Sequence, residues 1–289
     1  MTQVTSEYIE THEIAYRDSF LLTYQGTGRL RGTIQEKHGL EGSSYKSKLF
    51  DSLSMGRGGA YGSDIPASGV STSAPAVEFE QFYLKTIVAT SDQLNEKASM
   101  AAPQGTAHAF AAHRQLDQLM IDQAIANGTP TSAFTNGFTP LDITDLMAEM
   151  RAKSVNGKLT FAVTWPVWQL LMQSTTFTSS LFRKEMPLDR VNDNNLIANV
   201  SGVDIIPISP TYDKISKQTF GIPVSSAGVA SCIMYSDDAM TLAMNEDPTM
   251  SITHVVNQDR FEYLTKLKGN VLVEQPLGVS VVDITEKPE

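Results

Sequence analysis

At 289 residues, with 41% hydrophobic and 19% charged residues, the chain is long enough to bury a sizeable core as one large or two modest domains. Its longest apolar runs fall short of the roughly 18 residues a membrane span needs, and the acidic start MTQVTSEYIE lacks the basic-then-apolar order of a signal peptide, so secretion and membrane insertion are not expected. A net charge of −10 argues against holding nucleic acid as the main task, and a single cysteine, Cys232, excludes an intramolecular disulfide and a multi-cysteine zinc site.

Residues 1 to 28 carry short apolar clusters, Tyr8-Ile9, Ile14-Ala15-Tyr16 and Phe20-Leu21-Leu22, without sustained periodicity, and read as an extended arm. Strand-like pieces follow at Leu30 to Gln35 and Ser44 to Phe50, with the turn-prone His38-Gly39-Leu40-Glu41-Gly42 between them, which predicts a long hairpin. Its far side passes through Met55 to Gly62, too rich in glycine to pack a core of its own, so the segment needs another surface to lie on. Charge is distributed unevenly here. Residues 1 to 18 carry −3, residues 29 to 57 carry +3 and residues 58 to 150 carry −7, so a basic segment sits beside an acidic body. That segment is either a solvated loop or a positive arm made to lie on a negative neighbour.

After the linker Ser68 to Pro75, Val77 to Glu80 alternates and Phe82 to Ala89 continues as a strand. Pro103 to Gly128 is the longest helical pattern in the chain. Thr106 is placed to cap it, Leu116, Leu119, Met120 and Ala124 form its apolar side, Gln115, Gln118 and Asp122 lie opposite, and Asn127-Gly128 stops it. With Ile121 and Ile125 widening the apolar arc, most of the circumference wants cover, which makes this helix a scaffold for what packs around it. A second helix begins with Thr139 as cap and Pro140 in the first position, with Leu141, Leu146, Met147 and Met150 on its apolar side.

Leu159 to Thr164 reads as a buried strand, Pro166 opens a helix with Val167, Leu170 and Leu171, and Val203 to Ile208 is a further strand, without the regular βαβ rhythm of a doubly wound sheet. Ala230 to Tyr235 and Met240 to Met244 read as strands paired across Ser236-Asp237-Asp238. From Met250 to Thr285 the chain is nearly all strand, with turns expected at Asn257 to Asp259, Gly269-Asn270 and Gln275-Pro276. With no local helix to cover them, these strands are expected to return to the helix at 103–128. The fold class is α+β.

Chemistry is sparse. The Gly56 to Gly62 run departs from a dinucleotide fingerprint at Tyr61, and Gly157-Lys158 is followed by Leu159, so no phosphate-binding loop is formed. His108 and His113 project from different sides of the helix, and His113 with Asp117 lacks two further ligands, which leaves packing or surface roles. Cys232 lies in an apolar strand, as a buried hydrophobe would. No catalytic, cofactor-binding or metal residue is assigned.

The order of pieces resembles the major capsid proteins of tailed bacteriophages, which share the HK-ninety-seven-type shell fold. Gly28-Arg29-Leu30-Arg31-Gly32-Thr33, Ser63-Asp64-Ile65-Pro66 and Val77 to Glu80 leading through Ile87-Val88 to Asp92 are similar to the hairpin-to-body junction of the group related to short-tailed phage capsids. Leu116-Asp117 followed after two residues by Met120-Ile121 resembles that group's spine helix. The resemblance implies an N-terminal arm at 1–28, an extended loop at 29–76, a peripheral domain at 77–138 with return strands at 249–289, and an axial domain at 139–248.

It further implies that Arg29, Arg31, Lys37, Lys46, Lys48 and Arg57 of the loop contact a neighbouring subunit, that copies assemble as hexamers and pentamers of an icosahedral head enclosing double-stranded DNA, and that no cofactor is needed. Portal, a separate scaffolding protein and a decoration protein are the implied partners, with DNA touched only weakly, and the location is the virion after assembly in the host cytoplasm. No lysine is marked for cross-linking. An encapsulin-type compartment and, from another class, an unrecognised hydrolase or binding protein stand as alternatives.

Overall fold

The computed structural model describes residues 6–26, 29–47, 49–50, 72–89, 100–131, 133–135, 137–173, 198–200, 202–212 and 219–286. Helix α1 (Ser6–Gly26) is followed by strands β1 (Gln35–Lys37), β2 (Ser44–Lys46), β3 (Leu49–Phe50), β4 (Thr72–Ser73), β5 (Ala76–Glu78) and β6 (Glu80–Ala89). Then come α2 (Ala101–Asn127), β7 (Thr129–Pro130), α3 (Pro140–Ala152), β8 (Leu159–Thr164), α4 (Trp165–Gln173), β9 (Ala198–Val200), β10 (Val203–Ile208), β11 (Thr211–Tyr212) and β12 (Thr219–Phe220). The chain closes with β13 (Val229–Ser236), β14 (Met240–Val255), β15 (Arg260–Val273) and β16 (Val279–Thr285).

The spine, α2, lies where its apolar spacing puts it, starting two residues earlier than expected. Thr106 is not its cap: it sits inside the helix, where its hydroxyl donates to the Ala102 carbonyl at 3.2 Å. Gly128 does end the helix, its N–H donating to the Ala124 carbonyl at 2.8 Å, for a reason other than left-handed backbone. A Cβ there would stand 2.4 Å from Ala124 O and 2.9 Å from Val279 Cγ1.

The expected extended arm is instead a helix of 21 residues lying on the spine. Tyr16, Phe20 and Tyr24 recur at a spacing of four and are all buried against α2 and its sheet, so the aromatic stripe that carries the helix is hidden among apolar neighbours in the sequence. Close approach is possible because the spine offers Gly105, whose Cβ would meet Tyr16 O at 2.5 Å.

Two sheets flank the spine. One has the order β1-β14-β15-β6, the other β7-β16-β13-β8-β10-β9. The expected pairing of Ala230–Tyr235 with Met240–Met244 does not occur: β13 lies between β8 and β16, while β14 lies between β1 and β15. The chain crosses between sheets at Asp237–Ala239 and crosses back after Val273, where Glu274 N–H donates to Ala239 O at 2.9 Å. Gly269-Asn270 is not a turn either. β15 runs straight through, with Gly269 letting the Ala243 carbonyl approach and Asn270 Nδ2 donating to Glu78 O at 2.9 Å. Residues 249–289 therefore divide, β14 and β15 in one sheet and β16 in the other.

β8 and α3 match the sequence closely. All six residues of β8 are buried, and Asp142 accepts from both the N–H and the hydroxyl of Thr139 at 2.7 Å, closing the cap of α3. Leu141, expected inside, is exposed; Ile143 takes its place in the core with Leu146 and Met150.

Candidate assembly surface

The loop of residues 29–76 is built differently from the hairpin read in the sequence. Leu30 to Gln35 does not pair with Ser44 to Phe50. β1 joins β14 in parallel, and the ribbon runs between 44–50 and 72–78, with Ser44 opposite Glu78, Lys46 opposite Ala76 and Leu49 opposite Ser73. The alternation of 30–35 is absent because Leu30 to Thr33 forms a turn, closed by Thr33 N–H to Leu30 O at 3.0 Å with Gly32 in the left-handed region at φ +83°. Met55 to Gly62 lies outside the described residues. A two-stranded ribbon is marginal by itself in water. Its base is tied down by Asn245 Nδ2 to Gly42 O at 3.1 Å, Leu40 N–H to Met244 O at 3.2 Å, and Tyr45 Oη to Glu274 Oε1 at 3.4 Å.

The six cations assigned to the loop fall into three groups. Arg29 donates to the Pro207 carbonyl at 2.9 Å; Arg31 pairs with Glu36 at 3.1 Å and covers the Tyr24 ring at 4.3 Å; Lys37 donates to Tyr45 Oη, which holds its pKa above the usual value. These three serve their own chain. Lys46 is exposed on the ribbon, and Lys48 and Arg57 lie outside the described residues. Several acids of the supposed complementary body are also engaged internally: Asp142 caps α3, Glu149 pairs with Lys153 at 2.7 Å, and Glu80 accepts from Asn270 at 3.1 Å. The charge contrast available to a neighbour is narrower than the raw sequence count.

Leu116, Leu119, Met120 and Ala124 are buried on the spine. So are His108 and His113, as packing residues. Tyr16 Oη meets His108 Nδ1 at 2.6 Å and Thr265 Oγ1 at 2.7 Å, while His108 Nε2 meets Thr86 Oγ1 at 3.0 Å, so one histidine joins α1, β6 and β15. His113 stacks on Tyr24 at 4.8 Å, with the backbone of Thr23 and Tyr24 beside it but short of hydrogen-bond geometry. Burial holds both imidazoles down at about 4, helped for His113 by the nearby Arg31 charge. Cys232 is fully buried and burial pushes its thiol up to about 12, away from nucleophilic chemistry. Among the described residues no group of three or more His, Cys, Asp or Glu could hold a metal.

The sequence offered Asp117 only as a companion of His113 and as part of the Leu116–Ile121 pattern, without its bond to the loop root, and gave no role to Asn245, Tyr235 or Pro207; the signal at Asp117 was an acid set among His113, Leu116, Met120 and Ile121, which the helix buries.

The phage capsid protein family matches the chain over residues 9–286. Solved structures of the same fold include the mature capsid of bacteriophage PhiM1, at 13% identity over 91% of this chain and 88% of that one with a TM-score of 0.62. The head of Helicobacter pylori bacteriophage KHP40 follows at 9% identity, 88% and 87% coverage and a TM-score of 0.66. A virus-like particle from Pyrococcus furiosus shares 14% identity over 96% of this chain and 99% of that chain, with a TM-score of 0.55. No curated protein matches the sequence.

Proposed function

The chain belongs to the phage capsid protein family, a structural protein of the virion whose copies self-assemble into a shell, and from that premise we propose how its parts serve the head. The extended loop lies across the neighbouring subunit's peripheral domain, with Lys46, Lys48 and Arg57 as its outward cations. Hexamers and pentamers close an icosahedral shell around double-stranded DNA, which an acidic subunit touches weakly. Assembly takes place in the host cytoplasm, with a portal, a separate scaffolding protein and a decoration protein as partners. The protein is not an enzyme.

The observation that carries this reading is the ribbon of β2, β3, β4 and β5: a strand pair with its base hydrogen-bonded to the body and no helix laid against it among the described residues. Such an element adds contact area between subunits without needing its own core, and shells need many moderate interfaces so that early errors can dissociate. Negative-stain micrographs of the purified protein test it: closed shells or rings support the reading, and a monodisperse monomer at high concentration with a protease-resistant ribbon contradicts it. The likeness to the Pyrococcus furiosus virus-like particle favours a second reading, a compartment shell enclosing protein cargo. Absorbance of purified particles separates the two, since a packaged genome dominates at 260 nm and protein cargo does not.

A further inference from the structure

Two of the sequence patterns that carry the family resemblance meet in space, Arg29 to Thr33 from one and Leu116 to Ile121 from the other. Leu30 N–H donates to Asp117 Oδ1 at 3.2 Å, and the backbone N–H groups of Arg29 and Arg31 flank the same carboxylate. The turn held there is bolted on from two further elements. Thr33 Oγ1 donates to Leu30 O at 2.5 Å and meets Tyr235 Oη of β13 at 2.6 Å, and Arg29 Nη1 reaches Pro207 O of β10 at 2.9 Å. Spine, loop root and the sheet holding β10 and β13 are joined at one point, and from it the chain runs through β1, seated beside β14, before the ribbon leaves the body past Gly42.

We propose that Asp117 is a positioning residue for the extended loop: the spine holds residues 29–31 through this carboxylate and so fixes how the chain enters β1, from whose far end the ribbon leaves for a neighbouring subunit. The proposal rests on the reading of the loop as an intersubunit element. A carboxylate suits the task because it accepts several N–H groups at once, which no apolar residue of the surrounding arc can do. Arg29 and Arg31 face it from the root, with Glu36 bound to Arg31; Tyr235 faces it from β13, and His113 lies one turn earlier on the spine.

The grip is also sensitive to pH. Asp117 as a residue is partly exposed, but its carboxyl is crowded enough that burial pushes it up to about 6, against the root's N–H groups and Arg29 pulling it down. An acid held above its free value of about 3.9 binds a proton more tightly in the closed joint than in the open one. The closed joint is therefore favoured as pH falls from about 6 towards 4 and relatively loosened above about 6.

Hydrogen exchange of the unassembled full chain tests this in wild type, Asp117→Ala and Asp117→Asn, alongside shell assembly followed by light scattering. Asp117→Ala is expected to speed exchange of the Leu30 amide at least tenfold, leave spine amides 119–124 unchanged, and lower assembly. Asp117→Asn keeps an acceptor and is expected to fold, to hold the root, and to lose the tightening wild type shows between pH 7 and pH 5 once intrinsic exchange is corrected for. Unchanged Leu30 exchange in Asp117→Ala, or an opened root with assembly at the wild-type rate, overturns the proposal. So does an Asp117→Asn profile that follows wild type with pH. Lys46→Glu tested in parallel separates the premises: normal assembly of that variant with an Asp117→Ala defect counts against loop charge, not against the joint.

Discussion

The spine with its N-terminal helix, and the ribbon of residues 44–50 and 72–78, are both long narrow elements that solve burial in opposite ways. The helix pair buries Tyr16, Phe20, Leu116 and Met120 almost completely and is joined by a polar bridge through His108. Strands β2 and β5 of the ribbon hold only exposed and half-buried residues, and its described hydrogen bonds to the body gather at its base. One region is completed within the chain; the other, on the proposed function, is completed by a neighbour. Substitutions in the first should act on stability, and substitutions in the second on assembly.

The contrast breaks most visibly at Phe20. It is fully buried in the core shared with Leu116 and Met120, so Phe20→Ala should lower stability by about 3 to 5 kcal/mol, seen as an earlier urea unfolding midpoint. A loss under 1 kcal/mol would mean that α1 is not part of the folded body.

Acid probes the same region. An imidazole protonates near 6.5 when free, but His108 stays neutral to about 4 in the fold, so the stability its burial carries is full above about 6.5 and is lost as pH falls towards 4. The expected loss is about 2 to 3 kcal/mol, and Asp117, whose carboxyl is raised to about 6, offsets part of it by gaining a proton in the folded state. Thermal melts from pH 7.5 to 4.5 should therefore fall more steeply in wild type than in His108→Gln; parallel slopes would show that His108 does not titrate with unfolding.

These two effects also mark what could be read before the fold was known. The spine announces itself through helical spacing and β8 through a short run of apolar and β-branched residues, because each signal is local in the sequence. The N-terminal helix did not, since its stripe Tyr16-Phe20-Tyr24 is broken up by Ile14 and Leu22, which point to solvent. The partners of β13 and β14 were misread for a related reason: a short turn at Ser236–Asp238 suggests a hairpin, but nothing local says that the chain is changing sheets there. The ionic reading suffered most. A count of charges along the chain cannot tell that Arg29, Arg31 and Asp142 are spent on carbonyls, a neighbouring acid and a helix cap, because those partners are set by backbone geometry.

A smaller effect is expected at Cys232, whose side chain is buried among β8, β13 and β16. Cys232→Ala should cost about 1 kcal/mol through a small cavity and leave assembly unchanged, measured by melting and light scattering. Failure to assemble with the fold intact would show that the thiol does more than pack.

The ribbon gives the smallest change in stability and the most direct test of the account. Lys46 is exposed, and a surface pair of the kind proposed for it is worth about 0.2 to 1 kcal/mol, repeated around the shell. Salt should weaken such contacts, since the screening length shortens from about 8 Å at physiological ionic strength to about 3 Å at 1 M. The decisive measurement is the rate of shell formation by light scattering, at low and high salt, for the Lys46→Glu, Lys48→Glu double variant beside wild type. Slow or blocked assembly at low salt is expected, with circular dichroism of the free subunit unchanged; assembly at the wild-type rate at low salt would contradict a role for the basic loop.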